Sequence, residues 1–153
     1  MDPVGARSLF RFCVPVRVRF IETDAQGVVN HAHFFAYAEA ARHDYWARLG
    51  TSRTAMAREG VDDTVVEVQG RYRAPAHFYD LLDVHVRTAA LGRTSFVCEF
   101  LVTRGGGEEV IAELRSVHVI LNPGTRRPVP IPEFFRRAVG DFEGPNLRLK
   151  AQP

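Results

Sequence analysis

The chain of 153 residues carries 46% apolar and 25% charged side chains with a formal net charge of +2. That is the balance of one globular domain, expected here over 1–153 with its core at about 10–140, and it favours no particular partner, so no nucleic acid is expected. Two cysteines without a CxxC spacing exclude a disulfide scaffold and a cysteine-rich zinc site, no apolar run reaches membrane-span length, and Met1–Arg7 lacks a signal-peptide apolar core, so the expectation is a cytoplasmic protein.

Residues 10 to 20 alternate. Phe10, Phe12, Val14, Val16, Val18 and Phe20 share one side, and Arg11, Cys13, Pro15, Arg17 and Arg19 the other. This is the period of a half-buried strand, with Pro15 marking an edge or a bend. Asp24-Ala25-Gln26-Gly27 has Asp first and Gly last, the pattern of a type I turn. From about Asn30 to Leu49 there is no proline or glycine. Asn30 reads as the N-cap of a helix and Gly50 as its C-terminal cap. Phe34, Tyr37, Ala38, Ala41 and Tyr45 form one apolar stripe, and Phe35, Trp46 and Leu49 lie on another side. A helix apolar nearly all round is expected to be wrapped by other elements.

Thr51 to Gly60 reads as a weak helix or loop. Four strands follow. In Thr64 to Arg73, Val66, Val68, Gly70 and Tyr72 share a face; Leu81 to Leu91, Thr94 to Arg104 and Val110 to Leu121 alternate in the same way. Gly92-Arg93 and Gly105-Gly106-Gly107 supply tight turns between them. After Asn122-Pro123-Gly124, Pro132 can open a short helix through Phe134, Phe135 and Val139 with Gly140 as its stop. The last dozen residues read as a loose tail. The fold class is therefore α+β, one helix enclosed by a five-stranded antiparallel sheet. The opposite sheet face and the edge strand bearing Gly70 are left for a partner subunit.

The chemistry lies where the turn meets the helix. A carboxylate, Asp24, precedes a helix N-terminus, whose amides attract negative charge and can bind an oxyanion. Asp24 could serve as nucleophile or general base, or could do no more than fix the turn. His31 could hydrogen-bond a substrate or cap the helix. His31 and His33 point about 200° apart on a helix, so they make no chelating pair and no metal site is expected. Glu39 could pair with Arg42 or His43, or act as a supporting carboxylate. Arg73, Arg93, Arg126 and Arg127 fall near strand ends or loops, where they could clamp phosphates or stay solvated. Cys98 lies on the apolar face of its strand and reads as core.

The run Thr23-Asp24-Ala25-Gln26-Gly27-Val28-Val29-Asn30-His31-Ala32-His33-Phe34, followed by Glu39-Ala40-Ala41-Arg42, resembles the hotdog-fold acyl-CoA thioesterases, in particular the 4-hydroxybenzoyl-CoA thioesterase and YbgC-like group. A second match is Tyr72-Arg73-Ala74-Pro75-Ala76 with Asp80-Leu81-Leu82-Asp83-Val84. The resemblance covers about residues 12 to 140. It implies the hotdog fold, a homodimer or homotetramer, and hydrolysis of an acyl-CoA or acyl-carrier-protein thioester without a cofactor. It places Asp24 as the catalytic carboxylate, with His31 assisting. Gly27, Val28, Val29, Asn30, His33, Phe34 and Glu39 would bind substrate. Asn30 stands where the family often has an aromatic residue and His33 where it often has asparagine, which leaves the acyl group open.

Two other functions compete. Hotdog hydratases and dehydratases carry a differently spaced Asp–His pair with Asn-Pro between; here Ala-Gln-Gly-Val-Val-Asn separates Asp24 from His31. A non-catalytic acyl-CoA-binding module would bind without turnover.

Overall fold

The computed structural model describes residues 4–149. Six strands make one sheet: β1 (Phe12–Arg17), β2 (Asp62–Tyr72), β3 (Leu81–Leu91), β4 (Ser95–Arg104), β5 (Val110–Leu121) and β6 (Arg148–Leu149). Their order is β1-β3-β4-β5-β2, all antiparallel, with β6 pairing parallel to the far end of β3. The helices are α1 (His31–Leu49), α2 (Arg53–Arg58) and α3 (Glu133–Glu143). Among the described residues, no helix is long and apolar enough to cross a membrane.

Local signals set α1. The Asn30 side chain accepts the Ala32 amide at 3.0 Å, and Gly50 ends the helix in the left-handed region at φ 75°. Tyr45 and Trp46 are fully buried, and Trp46 packs on Phe96 and Phe135 at 5.6 Å each. The inner face of the sheet supplies Leu82, Val84, Val86, Cys98, Phe100 and Leu114 to this core. Cys98 is core as expected, and burial pushes its thiol up to about 12. Pro15 sits on an edge strand, where its missing N–H costs no ladder bond.

The sheet wraps the apolar side of α1 as expected, while Ala32, Ala36, Glu39, Ala40, Asp44 and Ala47 on the other side are exposed in the single chain. Several expectations need correction. Phe20 lies outside β1 and is 74% exposed. Phe10 packs against His85 and Arg87, whose side chains stand on the other face from Val84 and Val86. A bulge between Val65 and Glu67 puts Val65, not Val66, opposite His118. Bulges shift the alternation by one residue, so period counting fails there.

The opposite sheet face is not wholly open. The segment before β1 lies over it, with Val4 buried and the Gly5 amide donating to Glu99 at 3.3 Å. Gly140 does not stop α3, which runs on to Glu143 and ends at Gly144 with φ 60°. Tertiary contacts outweigh the modest cost of a helical glycine: buried Glu143 accepts from Tyr45 Oη at 2.6 Å and from the Thr88 amide at 3.1 Å. The expected loose tail is ordered as far as Leu149, through a turn at Gly144–Asn146 and then β6; 150–153 lie outside the described residues.

Candidate active site

The turn before α1 is held almost entirely by its own backbone. The Gly27 amide donates to Asp24 O at 2.9 Å, and the Asp24 amide donates to Val28 O at 2.9 Å. Asp24 Oδ1 accepts the Gln26 amide at 2.8 Å, and Oδ2 makes no hydrogen bond among the described residues. Gly27 adopts φ 77°, a conformation that a side chain would strain. Thr23 bridges to Val29 and Val28 bridges to His77, so the turn is stitched to the segment between β2 and β3. The Val29 amide adds a bond to Ala76 O at 2.8 Å. Asp24 is thus a half-buried carboxylate with one oxygen anchored and one unbonded.

Beneath this turn sits a buried acid that sequence reasoning passed over. Glu22 is 2% exposed. It accepts from Tyr37 Oη at 2.5 Å, from the Arg19 amide at 2.8 Å and from Arg19 Nε at 2.8 Å. Burial alone would raise its pKa, but the hydrogen bonds from Tyr37 and Arg19 outweigh it and hold the carboxyl below the usual range. The Tyr37 hydroxyl is pushed up, first by burial and then by Glu22. Glu22 O also accepts the Asn30 amide at 2.9 Å, tying the helix entry to the turn.

A cleft of about 280 Å³ opens beside the helix N-terminus, lined by Val28, Val29, His31, Phe34, Tyr72 and Arg73 through Ala76. His31 meets the Tyr72 ring edge-on at 6.3 Å, and Phe34 lies 5.5 Å from the same ring. Tyr72 Oη donates to His31 O at 3.1 Å. Of the first-turn amides, Ala32 is taken by the Asn30 side chain and His33 by Asn30 O. The His31 amide has no hydrogen-bond partner among the described residues, so it is the donor left at the positive end of the helix.

The fold therefore brings Val28, Val29, His31 and Phe34 together on the cleft. Asp24, Gly27 and Asn30 stand in the turn and cap that shape it. His33 and Glu39 do not line the cleft. Glu39 is exposed and lies 3.8 Å from both Arg42 and His43, along a second cavity farther down α1. Of the four candidate arginines, Arg73 lines the cleft, paired with Glu113 at 2.6 Å. Tyr72 through Ala76 were visible as a motif, but their place as the cleft wall follows from how β2 ends beside α1. Among the described residues no group of three or more His, Cys, Asp or Glu is placed to hold a metal ion.

Comparison with known proteins identifies the family. The family model for the thioesterase-like superfamily matches residues 18–139. The acyl-CoA thioester hydrolase YbgC of Escherichia coli O157:H7 is 30% identical over 126 residues, covering 82% of this chain and 92% of that protein. The 1,4-dihydroxy-2-naphthoyl-CoA hydrolase of Thermosynechococcus vestitus is 31% identical over 134 residues, covering 87% and 88%. The crystal structure of a thioesterase from Thermus thermophilus, complexed with coenzyme A and zinc, superposes with a TM-score of 0.76 at 36% identity, covering 88% of this chain and 96% of that one. With a family model matching most of its length and relatives at 30% identity or more, the chain belongs to the thioesterase-like superfamily and is a hydrolase of the thioesterase class.

Proposed function

We propose that the chain hydrolyses acyl-CoA thioesters to the free acid and the thiol. One observation carries the reading: an anchored carboxylate with a free oxygen, Asp24, stands next to a helix start whose His31 amide is unspent. Thioester hydrolysis needs both. Asp24 attacks the carbonyl carbon or draws a proton from the attacking water. The His31 amide, at the positive helix end, stabilises the charge that develops on the carbonyl oxygen. The His31 imidazole and Tyr72 hold the thioester against the cleft wall, and Phe34 takes the start of the acyl group. A carrier-protein thioester presents the same reacting atoms and is a second substrate class to test.

The site works as part of a homodimer or homotetramer in this reading. β2 is an unpaired edge whose Val65, Val66 and Val68 are each about half exposed, and the bare side of α1 runs beside it. Such an edge is normally covered. Sedimentation that finds a fully active monomer would contradict this assembly.

The test of the function is a panel of acyl-CoA thioesters, with released thiol as the readout. Turnover of at least one, at the roughly 1–10³ s⁻¹ usual for enzymes, is expected. Tight acyl-CoA binding with no thiol release would instead establish a non-catalytic binding module.

A further inference from the structure

The carboxylate and the amide that hydrolysis would pair come from two different pieces of chain. Asp24 belongs to the turn and the His31 amide to α1. Among the described residues the hydrogen bonds of Asp24 reach only Gln26, Gly27 and Val28, so they shape the turn without aiming it. Val28 and Val29 tie the turn sideways to His77 and Ala76. Glu22, two residues ahead of Asp24, ties it to the helix.

Glu22 grips α1 at two heights. Its main-chain oxygen accepts the amide of Asn30, the residue before His31, at 2.9 Å. Its Oε2 accepts from Tyr37 Oη at 2.5 Å, about two turns up the helix. Two such points fix a direction as well as a position. The other side of the carboxylate is held by Arg19, whose amide donates to Oε2 at 2.8 Å and whose Nε and Nη2 meet Oε1 at 2.8 and 2.7 Å. The Arg19 side chain is 73% exposed and that of Glu22 is 3% exposed, so the arginine reaches in from solvent to hold an acid that faces the interior.

Tyr37 is a firm anchor for that grip. It is buried and meets the Phe34 ring edge-on at 5.9 Å, and Phe34 in turn lies against Tyr72 in the cleft wall. Packing alone does not call for an acid beneath the turn. An apolar residue would fill the space without the cost of taking a carboxylate out of water. What a carboxylate adds is several directional bonds made at once, to the helix on one side and to the entry of the turn on the other.

We infer that Glu22 is a positioning residue: its carboxylate, clamped between Arg19 and Tyr37, holds the Asp24 turn at a fixed distance and angle from the start of α1, and so sets Asp24 against the His31 amide. The inference rests on the thioesterase reading, which pairs those two groups. Glu22 lies beneath the turn and acts through the frame, not on the substrate. Rates depend steeply on such a frame, since a misplacement of about 1 Å can cost about a hundred-fold.

The same helix carries a matched control. Tyr45 is buried on α1 and donates to the buried Glu143 at 2.6 Å, as Tyr37 does to Glu22, but at the end away from the turn. Tyr37→Phe and Tyr45→Phe therefore each remove one hydroxyl that donates to a buried acid. The measurement is kcat and KM on an acyl-CoA that the wild type turns over, taken well below the Tm of each variant. Tyr37→Phe is expected to lower kcat about ten- to a hundred-fold with KM within about three-fold of wild type. Tyr45→Phe is expected to lose stability but keep kcat within about two-fold. If both variants lose kcat alike, or if Tyr37→Phe keeps it, Glu22 only stabilises the fold and the inference is overturned. Glu22→Gln keeps the size of the side chain but, either way round, sets an NH2 against a donor. It is expected to lower kcat as Tyr37→Phe does, and the double variant should fall no more than about two-fold below the weaker single one, because both break one clamp. Losses that multiply overturn the inference.

Amide hydrogen exchange, followed by NMR on the same proteins, reads the clamp without turnover. The Asn30 amide is expected to exchange about ten-fold faster in Tyr37→Phe and at the wild-type rate in Tyr45→Phe. Unchanged exchange in Tyr37→Phe overturns the clamp. A wild type that releases no thiol from any acyl-CoA defeats the hydrolase reading, and exchange then still decides whether Glu22 holds the turn to the helix. A wild type that turns over, with Tyr37→Phe as fast, spares the hydrolase reading and sinks the positioning role.

Discussion

At the N-terminal end of α1 a cleft is open, and the polar groups in and beside it are held by backbone. Asp24 is fixed by the Gln26 amide, His31 sits exposed against Tyr72, and one helix amide is unspent. At the other end the polar groups hold one another: Arg42, Asp63, His118 and Ser116 are linked side chain to side chain and shut away from solvent. The same helix and strand frame both. The proposed chemistry needs groups with hydrogen-bonding capacity to spare, and at this end the turn is held by backbone bonds that leave such groups free. A sealed end cannot leave polar groups unpaired, so each member there depends on the next.

Four substitutions can break or sharpen that contrast. The largest loss of stability is expected at the sealed end. Asp63→Ala strands a buried Arg42 and takes the acceptor from His118, which should cost about 3–5 kcal/mol in urea unfolding. A cost within about 0.5 kcal/mol, the level of an ordinary surface change, would mean that the relay is not coupled.

Next comes the buried acid under the turn. Tyr37→Phe removes a hydrogen bond to the charged Glu22, for an expected loss of about 1.5–3 kcal/mol. Glu22 also predicts a pH dependence. Its folded pKa lies below its unfolded value, so the unfolded chain binds the proton more readily. The stabilisation is therefore complete above the unfolded value of about 4.3 and is lost as pH falls through the folded one. The fall of Tm between about pH 5 and 3 should be shallower in Glu22→Gln than in wild type. An equal or steeper fall would remove Glu22 as a contributor.

The smallest effect is expected at the helix cap. Asn30→Ala leaves the Ala32 amide without its partner and should cost about 1 kcal/mol. A loss as large as that at Asp63 would erase the contrast between a locally built end and a mutually dependent one.

The locally built end was also the legible one. Asn30, the uninterrupted run to Leu49 and Gly50 specify α1 through neighbours a few residues apart, and the observed helix is His31–Leu49. The limits of β3 and β5 agree with their alternation for the same reason. Gly140 misled because a glycine's preference is weak beside the contacts Glu143 makes with Tyr45 and Thr88, which no window of sequence contains. Phe20 misled because alternation outran the strand. The pairing of β6 with β3 joins residues far apart in the chain, and so does the bond between Asp63 and His118. Of the candidate site, the Asp24 turn and the helix start could be read from spacing. The cleft wall from Tyr72 to Ala76 and the acid at Glu22 needed the fold to place them.

The central claim is that Asp24 does chemistry and not merely turn-making. Asp24→Asn keeps the side-chain shape and an oxygen for the Gln26 amide, so the turn should persist, but it removes the carboxylate. The decisive measurement is kcat for acyl-CoA hydrolysis, taken with Tm on the same preparation. The account predicts a loss in kcat of about 10² to 10⁴-fold with Tm unchanged. Retention of more than about a tenth of the wild-type kcat, or a loss that merely follows unfolding, would contradict it.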